Sequence, residues 1–255
     1  MNQLGWCSGI GNAELLGNLG YNFIEVALNS LQLENKNEYK ELIKPVLASP
    51  LPTKAFNMFF PQGLRIVGPE ANESRIRNYI TLAVETLVRT KASIIVLGSA
   101  GARHIPEGWE RQHAEEQFLK VLSWCADEMQ GTSIILAIEP LNRQESNFIN
   151  SVEEGVHFAR QINRAEIQVL ADFYHMDEEQ EPLDTLMKHK EWLAHIHLAD
   201  TGRKNPGSGQ YDYDTFVSIL KEIEYTGMIS SECFVDDPRT SMEQSMAFIK
   251  KKWSI

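Results

Sequence analysis

The sequence predicts an α/β protein of a single domain, in which eight parallel strands close into a (β/α)8 barrel. Three observations lead to this expectation. Strand-like apolar runs alternate with amphipathic helical stretches along the whole 255 residues, the rhythm of a parallel sheet with crossover helices. No composition break or low-complexity linker divides the chain, so residues 1–255 are expected to form one unit. Four successive runs in the second half each close on a side chain able to bind a metal or move a proton: Glu139, Asp172, His197 and Glu232. In a barrel the C-terminal strand ends converge on one face, which would bring these four together.

The elements follow in order. Residues 4–7 read as the first strand, and a helix near residues 12–19 stops at Gly20. Residues 23–28 form the second strand, with Glu25 an odd acid inside it, and a helix over 37–47 is closed by Pro50 and Pro52. The third strand covers 54–60, and a turn-rich loop leads to a helix over 72–91 with Asn72 as its cap. Residues 93–97 are the fourth strand, running into the loop 98–103 and then a long helix over 110–129. The fifth strand is the apolar run from Ile134 that ends abruptly at Glu139-Pro140, since proline cannot continue a central strand. Ser151-Val-Glu-Glu154 reads as a capping box for the next helix. Strands over 167–172, 193–197 and 228–232 alternate with helices over 183–189 and 213–223, and Ser241 is expected to cap the last helix. An open doubly wound sheet is the alternative. The glycines of the 98–103 loop lack the G-x-G-x-x-G spacing of a dinucleotide site.

Composition narrows the function classes. A hydrophobic content of 43% can fill a large core without disulfides, and Cys7, Cys125 and Cys233 are scattered, as expected of a reducing cytoplasmic setting. Cys7 and Cys233 read as small core residues. The net charge of −11 argues against general binding to nucleic acid or anionic membrane. No run approaches the roughly 20 apolar residues of a membrane span, and the first residues lack the basic and apolar regions of a signal peptide.

A carboxylate at the end of a buried strand is costly unless paired. Three carboxylates and one imidazole together make a divalent-metal site; a buried salt-bridge network is the plainer alternative. The set also suits proton transfer on a carbon next to a carbonyl, which needs a Lewis acid, a base and an acid. Glu139 and Glu232, from the fifth and eighth strands, could flank a substrate and exchange its proton. His175 and Arg203 lie just past ligand strands and read as contacts to substrate oxygens; Glu145 could accept a sugar hydroxyl or pair with Arg143. His195 is expected to point out towards the helices. Trp6, Glu25, Asn57, His104 and Trp109 are candidates to shape the pocket, with Trp6 and Trp109 equally suited to packing and Glu25 to a place behind a ligand.

Glu139-Pro-Leu-Asn-Arg143, Asp172-Phe-Tyr-His-Met176, His195-Ile-His-Leu-Ala-Asp200 with Arg203 and Pro206-Gly-Ser-Gly209, and Glu232 together resemble the xylose-isomerase-like TIM-barrel sugar isomerase/epimerase superfamily, and within it the ketose 3-epimerases of the tagatose/psicose type. The resemblance implies one divalent ion, Mn2+ first, with Mg2+, Co2+ or Zn2+ as substitutes. It also implies a carbohydrate substrate and a homodimer or homotetramer. Glu139, Asp172, His197 and Glu232 match the family's ligands, and His175, Arg203 and Glu145 its substrate contacts. The 98–103 loop departs from the family pattern, and Arg103 on it is expected to meet an anionic group or a bulkier glycoside. The leading expectation is therefore a metal-dependent epimerase or isomerase. A dehydratase or lyase on the same site, a metal-dependent endonuclease for abasic DNA and a non-catalytic sugar-binding protein are the rivals.

Overall fold

The computed structural model describes residues 2–254. Among these, eight parallel strands run Gln3–Cys7 (β1), Phe23–Ala27 (β2), Thr53–Asn57 (β3), Ile94–Leu97 (β4), Ile135–Ile138 (β5), Ile167–Asp172 (β6), Leu193–Leu198 (β7) and Met228–Ser231 (β8). They pair in sequence order, and β8 returns to β1 to close the barrel. The crossover helices are Ala13–Asn18, Lys36–Leu47, Glu73–Thr90, Arg111–Met129, Val152–Ile162, Thr185–Lys188, Tyr213–Glu222 and Pro238–Trp253. None of the described helices is long and apolar enough to cross a membrane.

Local chemistry sets the helix starts. Asn72 Oδ1 takes the Arg75 N–H at 2.9 Å, and Ser151 Oγ takes that of Glu154 at 3.1 Å. The reciprocal arm of the expected capping box is shifted, because Glu154 Oε2 accepts from Asn150 N at 2.7 Å rather than from Ser151. The last helix begins earlier than expected. Asp237, not Ser241, is its cap, accepting from Thr240 N at 3.0 Å. Pro238 follows at the first helical position, where its missing N–H leaves nothing unpaired. The third strand stops at Asn57 instead of residue 60, because Met58 turns to φ 50°.

Strand alternation divides the apolar residues into two populations. Ile24, Val26, Phe56, Ile95, Leu97, Leu136, Ile138, Val169, Ala171, Ile196, Leu198 and Ile229 pack with the helices in one continuous core. Phe23, Ala55, Ile94, Val96, Ala137 and Leu170 form a separate buried cluster enclosed by the strands, an apolar plug in the lower barrel. Burying each large side chain of that plug contributes roughly 2 kcal/mol. The inward positions continue upward by twos from Ala137 to Glu139 and from Leu170 to Asp172. The same step leads from His195 to His197 and from Ser230 to Glu232. His195 therefore does not face the helices. Residues i and i+2 of a strand share a face, and His195 lies fully buried beside His197, with ring centroids 5.0 Å apart.

Candidate metal centre and substrate cleft

Glu139 follows β5, Asp172 ends β6, His197 is the penultimate residue of β7 and Glu232 follows β8. One donor atom from each of the four lies within 4.8 Å of all the others. His197 Nδ1 is 3.3 Å from Glu139 Oε1 and 3.4 Å from Glu232 Oε2. Asp172 Oδ1 accepts from Tyr174 N at 2.8 Å, whereas its Oδ2 is buried without a partner. An unpartnered carboxylate oxygen among two more carboxylates and an imidazole fits a hard divalent cation. Gly98 makes space for this arrangement: a Cβ there would collide with Glu139 Oε2.

The environments of the two glutamates differ. Burial, reinforced by the nearby Glu232 carboxylate, pushes Glu139 above the usual carboxylate range. Burial also acts to raise Glu232, but His197 and Arg203 prevail and hold it down at about 2. Burial raises Asp172 to about 7, with Glu139 adding to the effect. His197 is raised despite its burial, chiefly by the Glu25 carboxylate.

Around the four lies a polar rim. Asn57 Nδ2 donates to Glu232 Oε1 at 2.7 Å. The Arg203 guanidinium donates to Glu145 Oε1 at 3.0 Å and to Glu232 Oε2 at 2.8 Å, stacked 5.1 Å from the Tyr174 ring and 5.5 Å from that of Phe234. His175 is buried, and its Nδ1 takes the Asn142 backbone N–H at 3.1 Å. Its Nε2 is 3.7 Å from Asp172 Oδ2, which puts His175 at the Asp172 end of the rim.

Arg103 does not reach the substrate side. Its side chain is fully buried and donates to the backbone carbonyls of Leu97 and Glu139, at 3.2 and 2.6 Å, tying together the ends of β4 and β5. Residues 100–103 form a short helix that turns the guanidinium inward. Burial lowers its pKa to about 10. Glu25 is buried against His197 and is described below. Trp6 packs edge-on against Tyr21, and neither exposed His104 nor Trp109 lines the cleft. Gly98, Asn142 and Ser230 were not singled out from the sequence. An inward step of two from Glu232 would have found Ser230, whereas the other two depend on loop geometry.

A cleft of about 400 Å3 opens over the site. Its lining includes Met58, Phe60, Gln62, the small residues Gly98, Ser99, Ala100, Gly101 and Ala102, and the polar side chains Glu139, Glu145, Arg203 and Glu232. Met58, Ser99 and Arg203 hold φ values of 50°, 33° and 58°. Such left-handed geometry costs about 1–3 kcal/mol per non-glycine residue and gathers at functional sites.

Comparison with known proteins agrees with this fold. Residues 13–252 match the family model described as xylose isomerase-like TIM barrel. A 3-dehydro-D-guloside 4-epimerase of Escherichia coli (strain K12) is 30% identical over 122 residues, covering 47% of each chain. The chain thus spans about half the length of that curated relative. A D-psicose 3-epimerase of Enterocloster bolteae is 26% identical over 232 residues, 85% of this chain and 74% of that one. The crystal structure of D-psicose 3-epimerase with D-tagatose from Clostridium cellulolyticum H10 superposes with a TM-score of 0.85 at 17% identity, covering 99% of both chains, a likeness of fold.

Proposed function

The chain belongs to the xylose isomerase-like TIM-barrel family, and on that premise we propose that it is a divalent-metal-dependent epimerase or isomerase acting on an uncharged ketose or keto-sugar. One observation carries the reading. Glu139 and Glu232, from strands on different sides of the barrel mouth, both line an open cleft and converge on the buried His197 Nδ1. Glu139, Asp172, His197 and Glu232 would hold the ion, with Mn2+ the first candidate. A divalent ion bound there supplies Lewis acidity, polarising a carbonyl so that the neighbouring C–H becomes acidic.

The protein's own groups do the rest. One glutamate takes the proton from the carbon next to the carbonyl, and the other returns a proton to the opposite face, or to the neighbouring carbon in an isomerisation. Arg203 keeps Glu232 ionised and aimed, while Asn57 fixes its second oxygen. Glu145, which lines the cleft, would accept a sugar hydroxyl, and the unpartnered Nε2 of the buried His175 would serve a second one. The preference for an uncharged sugar rests on the lining: among the described residues Arg203 is the sole cation there, and it is committed to two carboxylates. A phosphate would need a free guanidinium or ammonium. The acidic chain, with one four-donor cluster among the described residues, fits poorly with an abasic-site endonuclease, which needs a basic DNA surface. A homodimer or homotetramer in the cytoplasm completes the proposal, and light scattering on the purified protein tests the assembly.

Incubation with Mn2+ in D2O against a panel of ketoses, keto-glycosides and sugar phosphates tests the reaction by NMR. Deuterium should enter next to the carbonyl of an uncharged panel member. Exchange confined to phosphorylated sugars would refute the substrate class. Loss of water from the sugar would point to a dehydratase on the same site.

A further inference from the structure

Beneath the metal centre lies a second buried polar cluster that the proposed reaction does not use. Glu25 is fully buried at an inward position of β2. Its Oε1 is 2.9 Å from His197 Nε2, and its Oε2 is 2.8 Å from His195 Nε2 and 2.6 Å from Ser230 Oγ. His195 and Ser230 are themselves fully buried, on β7 and β8. His195 is anchored on its other side, where Nδ1 is 3.0 Å from the Met228 carbonyl. Three strands thus fix one carboxylate between the apolar plug below and the ligand quartet above.

We propose that Glu25 is a positioning residue that holds the His197 ring with Nε2–H turned down to its carboxylate and the Nδ1 lone pair turned up to the metal. The inference rests on reading Glu139, Asp172, His197 and Glu232 as ligands. The two nitrogens of an imidazole are not equivalent, and the hydrogen bond made by one decides what the other can bind. A carboxylate behind a ligating histidine fixes the ring and raises its basicity. Here the geometry admits one assignment. Nδ1 faces Glu139, Glu232 and Asp172, while Nε2 faces Glu25 and, at 3.9 Å, Cys7 Sγ. His195 and Ser230 position Glu25 in turn, so the orientation of His197 is set by a chain of side chains that never meet the substrate. Cys7, Glu25 and His197 could also be taken for a small metal site. The contacts of 2.6–2.9 Å around Glu25 are closed hydrogen bonds, however, with no gap between the donors for an ion.

The test compares wild-type protein with Glu25→Gln, which keeps the shape and removes the charge. Mn2+ binding is measured by calorimetry and the visible absorption of the Co2+-loaded protein is recorded, with melting of the metal-free forms as reference. The Mn2+ dissociation constant should rise about 10- to 100-fold, and the Co2+ bands should shift. An unchanged dissociation constant and unchanged bands, even with a lower melting temperature, would make the network merely structural and overturn the proposal. So would a second Zn2+ per chain that is lost in Cys7→Ser. Should Glu25→Gln fail to fold, 15N NMR of the Zn2+-loaded wild type decides: metal at His197 Nδ1 with a proton on Nε2 is expected, and metal at Nε2 overturns it. Failure of wild-type protein to bind Mn2+ at all would instead refute the metal-centre reading itself.

Discussion

Arg203 places a guanidinium nitrogen 2.8 Å from Oε2 of Glu232, and both side chains are mostly shielded from solvent. Its second terminal nitrogen is engaged by Glu145, so one planar fork sets the spacing of two cleft carboxylates. A lysine offers a single point of charge and cannot span them. Arg203→Lys should lower kcat/KM about 10- to 100-fold, the worth of one hydrogen bond to a charged group. Steady-state kinetics on the substrate found by deuterium exchange measures it.

On the proposed mechanism, Glu139→Gln and Glu232→Gln would each remove one proton carrier. Turnover should fall about 100- to 10,000-fold in either variant, with Mn2+ still bound when the ion is in excess. Kinetics combined with metal analysis separates loss of chemistry from loss of the ion. Unchanged turnover in either variant would remove that glutamate from the mechanism.

Gly98→Ala puts a methyl group where the Glu139 carboxylate lies. The carboxylate must shift, and a displacement of about 1 Å can cost about 100-fold in rate. Gly11→Ala, whose added Cβ meets nothing within 4 Å, serves as the control. Mn2+ titration of both variants should show weakened binding in Gly98→Ala alone.

Arg103→Met should leave activity a secondary casualty of stability. The change strips the Glu139 carbonyl of its Arg103 donor and leaves the Leu97 carbonyl with the Glu139 N–H alone, at 3.3 Å. An orphaned buried acceptor costs about 1–3 kcal/mol, and urea unfolding should show a loss of that size. A neutral result would mean that water replaces the guanidinium.

His175 provides a pH signature. Burial, with Arg203 adding to it, lowers its pKa to about 3, and the Asn142 N–H on Nδ1 independently requires a neutral ring. In the unfolded chain the imidazole takes a proton near 6.5. Between these values the unfolded state binds more protons, so this group costs nothing above 6.5 and progressively lowers stability as pH falls towards 3. Melting temperatures of the metal-free protein from pH 7 to 5 should decline, and less steeply in His175→Gln. Equal slopes would refute a neutral His175.

Much of the site was legible because strands have a period of two and the barrel gathers their ends. Four apolar runs closing on Glu139, Asp172, His197 and Glu232 were enough to expect the quartet that lies within 4.8 Å. The same rule, applied with care, also places His195 inward, since it stands two residues from His197. Arg103 was out of reach. Its direction depends on a one-turn helix at 100–103 that a run of small residues does not announce. The end of β3 was hidden in the same way, because Lys54-Ala-Phe-Asn-Met-Phe-Phe60 reads as one strand until Met58 reverses its φ. Asp237 and Ser241 are both good caps, and Pro238 at the first helical position marks the earlier one.

The apolar plug of Phe23, Ala55, Ile94, Val96, Ala137 and Leu170 closes the lower end of the barrel to an ion. A hydrated cation cannot pass through a dry hydrocarbon layer, so an ion held by the quartet would enter and leave at the barrel mouth, where the sugar of the proposed reaction would also bind. Bound sugar would then act as a stopper. A chelator should strip the loaded enzyme quickly when the cleft is empty and slowly when it is full, and each catalytic cycle would protect its own metal from exchange.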